Sequence, residues 1–97
     1  MIIVHDIFVC KPGQASKLVK KFKEAMTGQS AFVQFMTDVT GQYNKVVMVS
    51  QYESLAAYEE NFKKYMQGSD EIKAMQQAME GYQDMYLTGS REIYQTF

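Results

Sequence analysis

Two stretches of this chain are apolar on consecutive positions. In Phe32-Val33-Gln34-Phe35-Met36 and Val46-Val47-Met48-Val49, neighbouring side chains of an extended strand point to opposite sides of a sheet, so both surfaces ask for burial. At 97 residues the chain reads as one domain spanning residues 1–97, near the size at which a single core is just adequate. One layer of helices covers one face. The other face is expected to be covered by a second copy of the chain, with any functional cavity lying between sheet and sheet.

Composition narrows the partners. Ten Lys plus Arg stand against eleven Asp plus Glu, a formal net charge of −1, which gives no electrostatic reason to expect nucleic acid or an anionic membrane. Residues 1–30 carry five lysines against Asp6 and Glu24, most simply a solvated helix face. The single cysteine, Cys10, cannot form an internal disulfide and has no Cys/His cluster for zinc, which fits a reducing compartment. The amino terminus lacks a basic leader, and no stretch approaches the roughly 20 apolar residues of a membrane span. A cytoplasmic, unprocessed protein is expected.

Residues 1–10 are rich in β-branched and apolar types and predict a strand, ended by Lys11-Pro12-Gly13. From Gln14 to Met26 the apolar Ala15, Leu18, Val19, Phe22 and Met26 recur at helical spacing, with lysines opposite. Thr27-Gly28-Gln29-Ser30 stops this helix, and residues 31–40 predict a second strand. Gly41-Gln42-Tyr43-Asn44 is short enough for a hairpin into a third strand, residues 45–53. Ser54 suits an N-cap for a helix carrying Leu55, Tyr58, Phe62 and Tyr65, broken at Gly68. Ser69 or Asp70 caps a third helix with the stripe Ile72, Met75, Met79 and Tyr82, after which Thr88-Gly89-Ser90 is read as a turn into a last strand, residues 91–97. The order β-α-β-β-α-α-β is the split pattern of the α+β, ferredoxin-like fold, a four-stranded antiparallel sheet with helices on one face.

The opening strand ended by Lys11-Pro12-Gly13, the hairpin, the run Gln51-Tyr52-Glu53-Ser54-Leu55-Ala56-Ala57-Tyr58 and Ser69-Asp70 occur in an order and spacing that resembles the dimeric α/β barrel superfamily, closest to the antibiotic biosynthesis monooxygenase and NIPSNAP-like groups. The resemblance spans essentially the whole chain. It implies a homodimer with a cavity under each sheet and helices outside. Some relatives oxygenate polyketide-like phenols without metal or flavin, some degrade haem, and some isomerise or decarboxylate small acids. The haem-degrading branch uses a first-strand Asn, a Trp and a third-helix His. This chain has no Trp, carries Gln76 at the expected place of that His, and has Asp6 as its first-strand polar residue, so haem turnover is argued against.

Asp6 sits on one side of the first strand with Ile2, Val4, Phe8 and Cys10. Facing a cavity it would serve as proton acceptor or ligand anchor; otherwise it pairs with a basic or hydroxyl neighbour. His5, the sole histidine, is the natural base near neutral pH but points the opposite way, so a direct His–Asp couple is not expected on a regular strand. It reads equally as a core histidine among Ile3, Ile7 and Val9. Asp6 and His5 are the candidate catalytic residues; Tyr52, Tyr94 and Gln76 are the candidate ligand contacts. Met75 and Met79, at helical spacing, read as packing. Cys10 reads as structural, Arg91 and Glu92 as a pair across the dimer, and neither a phosphate loop nor metal-ligand spacing is present.

The resulting expectation is a homodimer binding a small apolar or aromatic molecule, with cofactor-independent oxygenation of an aromatic or polyketide-like substrate as the activity. The alternative is a non-catalytic ligand-binding or stress-related dimer whose cavity is filled by its own side chains.

Overall fold

A computed structural model of the protein describes residues 1–41 and 43–97. The elements are β1 (Ile2–Cys10), α1 (Ala15–Met26), β2 (Phe32–Thr37), β3 (Lys45–Tyr52), α2 (Leu55–Gln67), α3 (Asp70–Ala78) and β4 (Tyr86–Gln95), with a 3-10 turn, Tyr82–Asp84, before β4. The four strands form an antiparallel sheet in the order β2-β3-β1-β4. This is the expected α+β, ferredoxin-like arrangement. Of the predicted hairpin turn, Gln42 lies outside the described residues; Asn44 adopts a left-handed φ of 63°, a conformation asparagine tolerates better than most residues.

Local chemistry sets the helix ends. The Ser54 hydroxyl accepts from the Ala57 amide at 3.1 Å, and that of Ser69 accepts from the Ile72 amide at 3.3 Å, each satisfying an amide of the first turn that has no partner within the helix. Gly68 ends α2 in the left-handed region at φ 69°, which a side chain disfavours.

Register determines which residues share a face. Asp6 lies opposite Met48 on one side and Arg91 on the other; Phe8 lies opposite Val46 and Gly89; Val4 opposite Ser50 and Ile93; Ile2 opposite Tyr52 and Gln95. These rows form the helix-covered face, where Cys10 and Val46 pack with Leu18, Phe22 and Ala25 of α1 and with Met75 and Met79 beside α3. The odd residues of β1, with Val47 and Val49, form the other face. The molecule is 20 Å thick in its shortest dimension, the depth of one sheet and one helical layer.

Two expectations need correction. The last strand begins at Tyr86, not at residue 91, and Thr88-Gly89-Ser90 runs inside it. Gly89 lies beside the Tyr86 and Phe8 rings, which are in T-shaped contact, and a Cβ there would meet them at ordinary van der Waals distances of 3.5 and 3.8 Å. The Ile72-Met75-Met79-Tyr82 stripe also outlasts its helix: α3 stops at Ala78 and Tyr82 opens the 3-10 turn, although all four still pack on the core.

Leu18 is fully buried, whereas Leu55 is 58% exposed. Leu18→Ala is expected to cost about 2–5 kcal/mol in urea unfolding and Leu55→Ala less than about 1 kcal/mol. Cys10 is buried and its thiol is pushed up by desolvation. Ellman's reagent should therefore label it slowly in the native protein and rapidly in denaturant.

Candidate functional site

The helical layer does not close evenly over the sheet. α1 and α3 pack around the Phe8–Val46 end, while α2 buries none of its residues and leaves space between itself and the sheet. A cavity of about 550 Å³ occupies that space. It lies between sheet and helices, where α2 stands away from the strand rows beneath it.

The cavity has two chemical ends. Phe8, Phe22, Met75, Met79 and Tyr82 line one, with the Phe8 and Phe22 rings 5.2 Å apart and Phe22 and Tyr82 5.4 Å apart. Two residues along β1, roughly 7 Å from Phe8, Asp6 and Arg91 begin the polar end, which continues through Ser50, Tyr52, Tyr58 and Asn61. Arg91 Nε donates to Asp6 Oδ1 at 2.5 Å. The Asp6 side chain is 14% exposed and that of Arg91 48%, so water screens the pair and its stability contribution is about 1 kcal/mol or less. The hydrogen bond to Asp6 holds the Arg91 guanidinium above its usual pKa, against the opposing effect of desolvation.

Tyr52 meets the cavity from the last residue of β3, its ring in T-shaped contact with Tyr58, 5.1 Å between centroids. Its hydroxyl accepts from Asn61 Nδ2 at 3.2 Å. Burial raises the Tyr52 pKa, the Tyr58 and Asp6 charges add to this, and the Ser50 hydroxyl and the Arg91 cation oppose it. The phenol is thus a neutral donor at physiological pH.

The structure brings together two of the five site residues expected from sequence, Asp6 and Tyr52. His5 and Tyr94 lie on the opposite face, their rings 5.2 Å apart in an edge contact, because strand alternation turns them away from Asp6. Gln76 is exposed on α3 and is not among the cavity-lining residues. Arg91 was expected to pair with Glu92 across a dimer; instead it binds Asp6 within the chain, while Glu92 faces the His5 side. The turn-like composition of Thr88-Gly89-Ser90 conceals this position of Arg91, which lies inside β4 opposite Asp6 and not at a strand start. Among the described residues no three His, Cys, Asp or Glu side chains gather as metal ligands, and no helix is long and apolar enough to cross a membrane.

The NIPSNAP family model matches residues 6–88, from Asp6 through most of the elements that enclose the cavity. The chain belongs to the NIPSNAP family. No curated protein matches it in sequence. Among solved structures, this NIPSNAP chain is similar to a NIPSNAP family protein from Agrobacterium tumefaciens, with 14% identity over 99% of this chain and 85% of that one and a TM-score of 0.77. A NIPSNAP domain protein from Burkholderia xenovorans gives 11% identity, coverage of 100% and 95%, and a TM-score of 0.77. An antibiotic biosynthesis monooxygenase gives 10% identity, coverage of 100% and 99%, and a TM-score of 0.64. At these identities the likeness is one of fold, and the dimeric α/β barrel resemblance read from the sequence falls on the same two groups.

A raised folded-state pKa for Tyr52 means that, above the unfolded value of about 10, the native state retains a proton the unfolded chain has released. Stability therefore falls as pH rises through that range. Tyr52→Phe is expected to flatten part of this alkaline decline in chemical denaturation, Tyr82, raised by burial, and Tyr94, raised by Glu92, retaining the remainder. Arg91→Met, which removes the opposing cation, should move the Tyr52 ring-carbon titration to still higher pH by NMR.

Proposed function

We propose that this NIPSNAP domain binds a small aromatic molecule in the cavity between its sheet and helices, and that it does so as a homodimer. The observation that carries this reading is the cavity itself. Its volume of about 550 Å³ falls within the range of small-molecule sites, and it combines an aromatic and methionine wall with a few convergent polar groups. The second copy is assigned to the open face, where Val47 and Val49 are already buried but Ile3, His5, Ile7 and Val9 beside them are only half-buried and Tyr94 is 47% exposed. A strand face of this composition gains by leaving water.

The chemistry proposed for the site is oxygenation of an electron-rich, polyketide-like phenol or enol without a cofactor. The substrate loses a carbon-bound proton to Asp6, whose Oδ2 has no hydrogen-bond partner among the described residues. The resulting carbanion adds oxygen to form a hydroperoxide, which loses water to leave a carbonyl, so that CH2 and O2 become C=O and H2O. The protein's part is orientation, proton acceptance and water exclusion. His5, on the other face, is left without a role in this cavity.

Non-catalytic ligand binding is the second reading, favoured by Asp6 already being engaged by Arg91. The version in which the protein's own side chains fill the space is disfavoured by the cavity's volume. An oxygen electrode separates the readings with an enolisable tricyclic phenol as substrate. Uptake above the uncatalysed rate, reduced about 100-fold by Asp6→Asn, is expected for the oxygenase. Tight binding without uptake leaves the binding function alone. Light scattering is expected to give twice the chain mass at micromolar concentration, and Ile7→Glu, which places a charge in the middle of the open face, a single-chain mass.

A further inference from the structure

The Arg91 guanidinium presents two hydrogen-bonding edges, and only one is engaged. Its bond to Asp6 runs through Nε, and among the described residues Nη1 and Nη2 make no hydrogen bond. The end edge that these two nitrogens form offers parallel N–H donors at the spacing of the two oxygens of a carboxylate. Arg91 lines the cavity together with Asp6, Tyr52 and Tyr58. Its cation opposes the burial that raises the Tyr52 pKa, and charge on the two neighbouring phenols favours the guanidinium's own charged form.

We infer that the Asp6–Arg91 pair is a carboxylate-binding subsite, in which Asp6 fixes the guanidinium from the Nε side and the Nη edge receives a carboxylate carried by the aromatic ligand. This deepens the binding reading above and rests on it. The site is electrically balanced before a ligand enters: among the cavity's charged lining residues Arg91 and Lys64 offset Asp6 and Glu71. Attraction at long range is therefore weak, and selectivity comes from the geometry of the fork at contact. The half-exposure of Arg91 places the carboxylate toward solvent and the ring toward Phe8 and Phe22. The ligand class is an aromatic monocarboxylate, of two or three fused rings in a cavity of about 550 Å³. In this arrangement Arg91 touches the ligand and Asp6 is also a positioning residue, acting through Arg91.

The test compares 2-naphthoate with 2-naphthylmethanol, probes of the same ring system that differ in the anionic head, by calorimetric titration of the full chain. The carboxylate is expected to bind at least about tenfold more tightly than the alcohol. Arg91→Met should abolish that preference, bringing the two affinities to within about twofold of each other. Arg91→Lys, which keeps the charge without the fork, should retain only part of it, and it supplies the comparison if the Met variant does not fold. Equal affinity for the two probes in the unmodified protein, or an undiminished preference in both variants, overturns the subsite while leaving the cavity as a neutral aromatic site. Failure of both probes to bind overturns the cavity reading, and the subsite with it.

Discussion

Alternation along β1 governs the molecule. This strand is central, hydrogen-bonded to β3 on one side and β4 on the other, so each of its side chains must face either the helices or the opposite surface. Ile2, Val4, Asp6, Phe8 and Cys10 face the helices, and Ile3, His5, Ile7 and Val9 face away. A slip of one residue would exchange the two sets and place His5, not Asp6, beneath the helical layer. The buried row at Phe8 and Val46 opposes that slip, since it would remove Phe8, Val4 and Cys10 from the core together.

The cavity follows from an uneven division of apolar side chains among the helices. α1 contributes Leu18, Phe22 and Ala25 to the core and α3 contributes Met75, whereas α2 contributes no buried residue. Its Tyr58, Asn61, Phe62 and Tyr65 instead border the space over the sheet. The Asn61–Tyr52 hydrogen bond and the Tyr52–Tyr58 ring contact attach α2 at one end of that space. A fully packed α2 would add stability and remove the room for a ligand, so the loose packing is where stability and binding compete.

The polar end owes its composition to cross-strand pairing. Asp6 and Arg91 are 85 positions apart in sequence, yet they are neighbours on one row of the sheet. The same row carries Met48 on the other flank, which leaves the pair with an apolar neighbour on one side and Ser50 and Tyr52 further along the same face. A carboxylate in such surroundings is retained where it has a partner, and Arg91 supplies it without using its second donor edge. Similarity to an antibiotic biosynthesis monooxygenase extends to the frame, while the chemistry of this pocket belongs to its own side chains.

Periodicity and punctuation by themselves determined the element order, the Ser54 N-cap, the stop at Gly68 and the membership of Leu18, Phe22, Met75 and Met79 in the core, because these depend on residues close together in the chain; between Ser69 and Asp70 as the cap of α3 the structure decided for Ser69. They also established that Asp6 and His5 face opposite ways, a consequence of the strand repeat alone. Only the tertiary structure decided which of those faces the helices cover, that the cavity lies under α2, and that Arg91 meets Asp6. Each of these depends on pairing between distant strands, and at β4 the local signal pointed elsewhere: Thr88-Gly89-Ser90 has the composition of a turn, but its residues pair with Val9, Phe8 and Ile7 of β1 inside a strand. Long-range registry, which no local pattern encodes, placed the charged pair in the pocket.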